Sequence, residues 1–206
     1  MTAPETPLSA AFYERDVLQV APDLLGRRLV RVLDGVRLAG YIMETEAYNG
    51  VDDLACHAHS GQTKRNAVMF GPPGRAYVYF TYGLHWMLNC VTHPEGDPAA
   101  VLVRAIFPSE GLEVMAARRA GRPQKQWADG PAKLCQALGI TGACNGADLT
   151  VPGADLLIEP GRPVPPEYIR RAPRPGRPSP GRRAWHRRPT GRRRPRPSPV
   201  PGRWRR

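Results

Sequence analysis

Hydrophobic and polar positions along this chain fall into short strand-like stretches separated by turn signals. Two of them, within residues 27–48, flank Asp34-Gly35, which predicts a hairpin. Further strands are predicted within 75–83, 86–91, 99–107 and 153–161. The strands follow one another instead of alternating with helices. The pattern therefore favours an α+β fold built on antiparallel hairpins over a doubly wound sheet.

Three short helices are predicted between the strands. The first lies within residues 12–26, with Asp16 as a plausible N-cap and Gly26 as the stop. The others lie within 109–121 and 130–140, where Pro131 suits a first helical position and Gly139 a stop. Residues 49–66 are rich in Gly, Asp and Asn and predict a loop. We expect one compact mixed domain over residues 1–172.

The charge is distributed unevenly, which changes its meaning. The 206 residues carry a net charge of +12, which at first suggests a polyanionic partner. Residues 170–206, however, hold fifteen arginines and no acid, which leaves residues 1–169 with a net charge of −3. From residue 173 onward the composition is Arg, Pro and Gly with almost no aliphatic residues, so we expect 173–206 to be a disordered tail.

Cysteine usage and hydropathy predict a cytosolic protein. The four cysteines show no paired C-x-x-C spacing, which favours reduced thiols packed in a core. The first residues lack the basic and apolar regions of a signal peptide. No apolar run approaches the roughly 18 residues of a membrane span. We expect no membrane association.

The stretch YIMETEAYNG (41–50) contains the sharpest candidate chemistry. On a strand, Glu44, Glu46 and Tyr48 would share one face, because side chains alternate with a period of two. Two carboxylates on one face repel each other, which is unfavourable unless a functional site needs them. Hydrolysis of a glycosidic-type bond needs a carboxylate, because it takes a proton from the water that attacks the carbon. The alternative is a solvated strand face with two surface glutamates.

The sequence CHAHSG (56–61) brings together Cys56, His57 and His59. A metal site needs three or four ligands, and no second cluster of matching spacing accompanies this one. We therefore expect no metal, and a single histidine that stacks or forms a hydrogen bond in a pocket.

Aromatic residues are concentrated in YVYFTYGLHW (77–86). Tyr77 and Tyr79 would share a face of a regular strand, and Tyr82 precedes Gly83 at a predicted turn. A ring at a hairpin tip is poorly placed for a core and well placed to enter a stack of bases. Core packing is the expectation for Phe80 and Trp86.

Five ordered motifs resemble those of the alkyladenine (3-methyladenine, methylpurine) DNA glycosylases. They lie within residues 12–172 and read LLGRRLV, ETEAYNGVDDLACHAHSG, TKRNAVMFGPPGRAYVYFTYGLHWMLN, AAVLVRA and DGPAKLCQALGI. The resemblance implies a single α+β domain that flips alkylated or deaminated purines out of double-stranded DNA and hydrolyses their N-glycosidic bonds. It implies no metal or organic cofactor. We expect a monomer in the cytoplasm, associated with the nucleoid.

The resemblance also implies roles for individual residues. Glu46 matches the general base, and Arg104 matches a residue near the catalytic water and the flipped nucleotide's phosphate. Tyr82 matches the side chain that intercalates into the gap left in the duplex. The remaining matches bind the substrate: Tyr48, His57 and Tyr79 sandwich the flipped base, and Asn89 crowds the 2-amino group of guanine.

The chain departs from the family pattern at its end. Members of the family end with a segment of the form PRIGI…W…P…RFY. In this chain, APRPGR (172–177) is followed instead by an Arg/Pro-rich sequence. A frameshift near codon 174 of a G+C-rich gene would give this composition and leave the domain incomplete, with its activity in doubt. The alternative is a natural basic arm that adds nonspecific DNA affinity.

Two other functions remain open at this point. A glycoside hydrolase would use Glu44 and Glu46 as an acid/base pair, and both would be essential. A noncatalytic nucleic-acid-binding protein would depend instead on residues 173–206.

Overall fold

The computed structural model describes residues 6–174 and 183–187. Within these ranges the α-helices are α1 (Ala10–Tyr13), α2 (Val17–Asp23), α3 (Leu112–Arg118) and α4 (Pro131–Leu138). The strands are β1 (Arg28–Leu33), β2 (Val36–Tyr48), β3 (Ala76–Thr81), β4 (His85–Thr92), β5 (Ala99–Glu110), β6 (Leu156–Glu159), β7 (Ile169–Ala172) and β8 (Arg183–Arg187). Short 3₁₀ turns occupy Gly50–Asp52, Ala67–Phe70, Gln124–Gln126, Gly142–Cys144 and Pro166–Tyr168.

All the strand pairs are antiparallel, and they form one sheet with the order β3-β4-β5-β2-β1-β6. The 13-residue strand β2 is the centre of this sheet. It pairs with β5 along one edge, and β1 and β8 share its other edge. The α+β fold with antiparallel hairpins is therefore confirmed.

Local signals in the sequence account for the predicted turns and helix ends. Asp34 and Gly35 have φ of 50° and 76°, as the central residues of a tight hairpin turn require. The side chain of Asp16 accepts a hydrogen bond from Leu18 N and caps α2, as predicted. Gly139 ends α4 with φ of 64° in the left-handed region that glycine adopts readily.

The main core lies between the sheet and the helices α2 and α4. Helix α4 buries Leu134, Cys135, Ala137 and Leu138. The four cysteines are all free and buried, as the reduced-thiol prediction requires. On β2, Thr45 faces α2 and donates a hydrogen bond to Ala21 O at 2.8 Å. Because strand side chains alternate, Glu44 and Glu46 point to the other side of the sheet.

The expectation of disorder from residue 173 is wrong for Arg174, which is 5% exposed, and for residues 183–187. The latter form β8, which pairs with both β2 and β7, and Trp185 is buried in the main core. The tertiary pairing of β8 with the open half of β2 overrides a composition that predicts no structure. The rest of the predicted tail, 175–182 and 188–206, lies outside the described residues.

Candidate active site

A small pocket with a cavity volume of about 60 Å³ opens beside β2, β3 and the loop after β2. It is lined by Tyr48, Ala55, Cys56, His57, Met69, Tyr77, Tyr79, Asn89 and Ala100. All four residues predicted to bind the substrate, Tyr48, His57, Tyr79 and Asn89, therefore lie around one cavity.

The carboxylate of Glu46 adjoins this pocket through Tyr48. Glu46 is 2% exposed, and its Oε2 accepts a hydrogen bond from the hydroxyl of Tyr48 at 3.0 Å. Its Oε1 lies 3.0 Å from Arg104 Nη1, but no donor is aligned for a hydrogen bond to it. One oxygen of a buried carboxylate thus keeps an unused acceptor site.

Arg104 connects the two glutamates of β2. Its Nε donates to Glu44 Oε1 at 2.9 Å, while its Nη1 approaches Glu46. Register shifts between β2 and β5 on either side of Glu44 accompany this arrangement. The shared face of Glu44, Glu46 and Tyr48 is therefore present, with one guanidinium compensating the repulsion between the carboxylates.

Burial sets the protonation of this cluster. Burial raises the pKa of Glu46 above its ordinary value, although Arg104 and the hydrogen bond from Tyr48 oppose that rise. Burial also raises the pKa of Tyr48, and the neighbouring charge of Glu46 raises it further. Tyr48 therefore stays a neutral hydrogen-bond donor, and Glu46 is a stronger base than an exposed glutamate.

A second set of rings faces the same cavity from β3 and the loop. His57 and Tyr79 are in edge-to-face contact with ring centroids 4.5 Å apart, and Nδ1 of His57 lies 2.9 Å from the hydroxyl of Tyr77. Burial, together with the nearby charge of Arg65, lowers the pKa of His57. A neutral imidazole in this place does not repel a positively charged ligand.

Buried polar contacts hold the floor of the site. Asn89 is 4% exposed, and its Nδ2 donates to Tyr77 O at 3.0 Å. Asn66 donates from Nδ2 to His57 O at 2.8 Å and to Gly61 O at 3.0 Å, which ties the loop together. Both amides have fixed orientations, so Asn89 presents a defined polar edge to the cavity.

The hairpin between β3 and β4 projects Tyr82 into solvent. Tyr82 is 91% exposed, with φ of 51°, and Gly83 follows with φ of 66°. The expectation of core packing is wrong for Phe80, which is 43% exposed and rests against Trp86 with ring centroids 4.7 Å apart. Trp86 is partly buried against the main core, as predicted. The tip thus exposes apolar surface next to the pocket-forming strand.

Comparison with known proteins identifies the site's family. Residues 11–188 match the family described as methylpurine-DNA glycosylase (MPG). The chain belongs to this family. Similar proteins named "Putative 3-methyladenine DNA glycosylase" occur in Carboxydothermus hydrogenoformans, with 52% identity over 79% of this chain and 84% of the relative, and in Streptomyces avermitilis, with 48% identity over 85% and 84%. One from Methanocella arvoryzae shares 53% identity over 74% of this chain and 76% of its own length.

Family membership connects this chain with DNA repair and, within it, with base excision repair. Among the described residues, no helix has the length and apolarity to span a bilayer. The same residues contain no group of three or more His, Cys, Asp and Glu side chains arranged to hold a metal ion.

Two arginines of this site were not predicted from the sequence. Arg65 donates from Nη2 to Phe80 O at 2.9 Å and lies over the ring of Tyr79, 5.6 Å from its centroid. Arg174 is 5% exposed and contacts Tyr48. A lone arginine in a loop or a basic tail carries no periodic signal, so neither could be found from the pattern.

Proposed function

We propose that this chain hydrolyses the N-glycosidic bond of alkylated or deaminated purines in double-stranded DNA, with Glu46 as the general base. The observation that carries the proposal is the environment of Glu46. The carboxylate is buried beside an aromatic pocket, one oxygen is oriented by Tyr48, and the other accepts no hydrogen bond. A general base requires this combination of fixed geometry, raised basicity and a free acceptor.

Access to the bond would require base flipping. A purine inside a duplex cannot reach a buried carboxylate, and extruding it costs a few kcal/mol. Tyr82, exposed at the hairpin tip, is suited to fill the gap in the base stack. The exposed apolar neighbours Phe80 and Leu84 give this tip a surface that can lie against the minor groove.

The flipped base would be held between aromatic walls. His57 and Tyr79 touch each other edge to face, which leaves no room for a base between them. They therefore form one wall together, and we propose Tyr48 as the opposite wall. Each aromatic contact with a base contributes about 1–3 kcal/mol, enough to offset much of the cost of flipping.

The chemical step would consume one water molecule. The water oxygen forms a bond to the anomeric carbon of the deoxyribose, Glu46 takes a proton from that water, and the carbon–nitrogen bond to the base breaks. The electron pair of this bond goes to the base nitrogen, so a positively charged alkylated purine leaves as a neutral base. A 3-alkylated purine carries positive charge and is a good leaving group, so one carboxylate is sufficient. Arg104 would oppose the rise in the pKa of Glu46 that burial causes, and it would lie near the phosphate of the flipped nucleotide.

Selection among purines would depend on Asn89. Its buried amide is fixed by the hydrogen bond to Tyr77 O and lines the pocket. A purine with a 2-amino group would meet this amide by steric conflict or with an unpaired donor. The candidate substrates are 3-methyladenine, 7-methylguanine and hypoxanthine. Asn89→Ala should admit guanine-type bases at lower fidelity, and unchanged release of those bases by a folded variant would exclude Asn89 as the wall.

The glycoside-hydrolase alternative receives less support from the geometry. Glu44 is engaged in a direct ion pair with Arg104, and Glu46 shares that guanidinium. A sugar hydrolase needs a proton-donating acid as well as a base, and the hydrogen bond from Arg104 Nε already occupies Glu44 Oε1, which such an acid would turn toward its substrate. Base release should therefore depend far less on Glu44 than on Glu46.

The deciding experiment measures, by chromatography, the free bases released from methylated duplex DNA by the full wild-type chain and by its Glu46→Gln variant. We expect release by the wild type and none above background by the variant. A noncatalytic binding protein would bind the duplex and release nothing. Equal release by both proteins would remove Glu46 from the mechanism.

A further inference from the structure

Arg174 is a buried cation next to the candidate catalytic residues. Its side chain is 2% exposed, its Nη1 donates to Ala47 O, and its Nη2 donates to Asp53 Oδ1 at 2.7 Å. Its guanidinium carbon lies 4.2 Å from the centroid of the Tyr48 ring. Arg174 therefore contacts the end of β2, the loop after it, and the ring of Tyr48, without itself lining the pocket.

The partner of Arg174 organises the loop that carries His57. Asp53 also accepts hydrogen bonds from Asn49 N at 3.3 Å and from Ala55 N at 3.1 Å. Burial raises the pKa of Asp53, but the hydrogen bonds from Arg174, Ala55 and Asn49 and the charge of Arg174 together outweigh burial and hold that pKa below its ordinary value. Since Ala55 and His57 line the pocket, the ion pair fixes one wall relative to the other.

Stability alone does not explain this arrangement. A buried guanidinium loses its hydration, and the Nε of Arg174 has no hydrogen-bond partner to compensate. A buried ion pair is often no more stabilising than apolar side chains of the same volume. The guanidinium does, however, fix the positions of its neighbours. It is planar, so it can stack on the ring of Tyr48 while it donates hydrogen bonds in its own plane to Ala47 O and Asp53.

Arg174 also contributes to the electrostatics around Glu46. The described charged and titratable groups that act there are Arg104 from β5, Glu44 and Tyr48 from β2, Tyr79 from β3, and Arg174. Burial raises the pKa of Glu46, and the positive charge of Arg174 acts with that of Arg104 to lower it. Removing either cation should therefore make the carboxylate harder to ionise.

We propose that Arg174 is a positioning residue of this site. It fixes the ring of Tyr48 and the loop bearing His57, and its charge favours the ionised form of Glu46. The inference rests on the proposed function, in which Glu46 is the general base and Tyr48 a wall of the base pocket.

The test compares Arg174→Gln, Arg174→Lys and Asp53→Asn in the full chain. In single-turnover excision, Arg174→Gln should lose roughly 10–100-fold in rate, the size expected when catalytic groups are misplaced by about 1 Å. The acid limb of its excision rate plotted against pH should also move to higher pH. Arg174→Lys keeps the charge and should restore the position of the acid limb but not the full rate. Asp53→Asn should weaken substrate binding without moving the acid limb.

Arg31→Gln is the matched control. Arg31, on β1, is half-buried; like Arg174 it has an acidic partner, Asp155, and it donates to Val32 O and Asp155 O away from the pocket. We expect this variant to excise like the wild type once compared at equal folded fraction. If Arg31→Gln loses as much excision as Arg174→Gln at an equal loss of thermal stability, Arg174 is merely structural.

A readout independent of catalysis separates this inference from the proposed function. Titration of ¹³C-labelled glutamate by NMR, with Glu46 assigned from Glu46→Gln, should show a higher pKa of Glu46 in Arg174→Gln and no change in Arg31→Gln. Hydrogen exchange at Ala55 should accelerate in Arg174→Gln and Asp53→Asn. An unchanged Glu46 titration together with unchanged exchange would overturn the role of Arg174. Absence of base release by the wild type would instead overturn the proposed function.

Discussion

Two buried glutamates, Glu46 on β2 and Glu159 on β6, occupy the same sheet in opposite electrostatic situations. Glu159 is 0% exposed, and both of its oxygens accept hydrogen bonds from Arg37 Nη2, at 2.8 and 2.7 Å. Arg28 adds a longer contact at 3.5 Å. Glu46 is almost as buried, but Tyr48 satisfies only one of its oxygens.

The difference separates a structural carboxylate from a reactive one. Arg37 and Arg28 also bind Glu110, so Glu159 belongs to a network in which the buried charges are compensated. Both oxygens of Glu159 therefore already accept hydrogen bonds from arginine. Glu46 keeps a free acceptor, and its burial costs desolvation energy. A base poised for proton transfer requires such a free acceptor. Burial by itself therefore does not mark a catalytic group, whereas incomplete satisfaction beside a pocket does.

The largest expected effect is on the activity of Glu46→Gln. Single-turnover excision should fall by about 10²–10⁴-fold, the usual contribution of a general base. The free energy of unfolding at neutral pH should change by less than about 1 kcal/mol, because the variant removes a costly buried charge but places an amide near Arg104. Urea denaturation checks the stability. A large loss of stability would mean that Glu46 resembles Glu159 after all.

Glu159→Gln should show the reverse profile. Among the described residues, losing this charge leaves Arg37 with the partly exposed Glu110 as its one ionic partner, so the free energy of unfolding should drop by about 2–3 kcal/mol. Excision per folded molecule should stay at the wild-type level, since the network lies away from the pocket residues. A specific loss of excision at unchanged stability would break the comparison.

The pH profile sharpens the same contrast. Glu46 must be ionised to accept a proton, and burial raises its pKa. Excision should therefore decline, as pH falls, at a higher pH than an ordinary glutamate would give. Stability should respond with the opposite sign: the folded state binds this proton more tightly than the unfolded state, so this group's cost to stability diminishes as pH falls through the raised pKa. Glu46→Gln should lack that stability component. An acid limb at or below the ordinary glutamate pKa would contradict the raised value.

Most of the fold was predictable because its signals are local. The Asp34-Gly35 turn, the Asp16 cap and the Gly139 stop each act within a few residues, and the strand order along the chain favours antiparallel pairing. Trp185 was missed because its burial depends on pairing with β2, about 140 residues earlier, and nothing in an Arg/Pro-rich segment signals that partner except the tryptophan itself. The frameshift and basic-arm explanations both remain predictions for the residues outside the described ranges.

The candidate site was predictable only where the residue types were distinctive. The Glu44, Glu46 and Tyr48 face follows from strand periodicity, and the family resemblance supplied His57 and Asn89. The unequal satisfaction of the two oxygens of Glu46 could not be read from sequence, because it depends on how Arg104 from β5 is oriented after both strands have paired. Phe80 shows the same limit: its apolar character predicted burial, but a strand near a projecting hairpin tip has little protein to cover it.

Tyr82→Ala should have the smallest effect on the protein itself, and it extends the comparison to a side chain outside both carboxylate clusters. Tyr82 is 91% exposed, so its removal should leave the free energy of unfolding nearly unchanged.

The effect of Tyr82→Ala should appear on DNA. Binding to duplex with a lesion should weaken by about tenfold, since stacking one ring on a base contributes about 1–3 kcal/mol. A lesion in single-stranded DNA should be affected less, because a single strand has less stack to repair. The measurement is excision and binding on matched duplex and single-stranded oligonucleotides. Val36→Ala, at a 42% exposed apolar residue of the β1–β2 hairpin, is the control. An equal loss on both substrates would remove the wedge role, and it would leave substrate capture to the pocket in which Glu46 and Tyr48 meet.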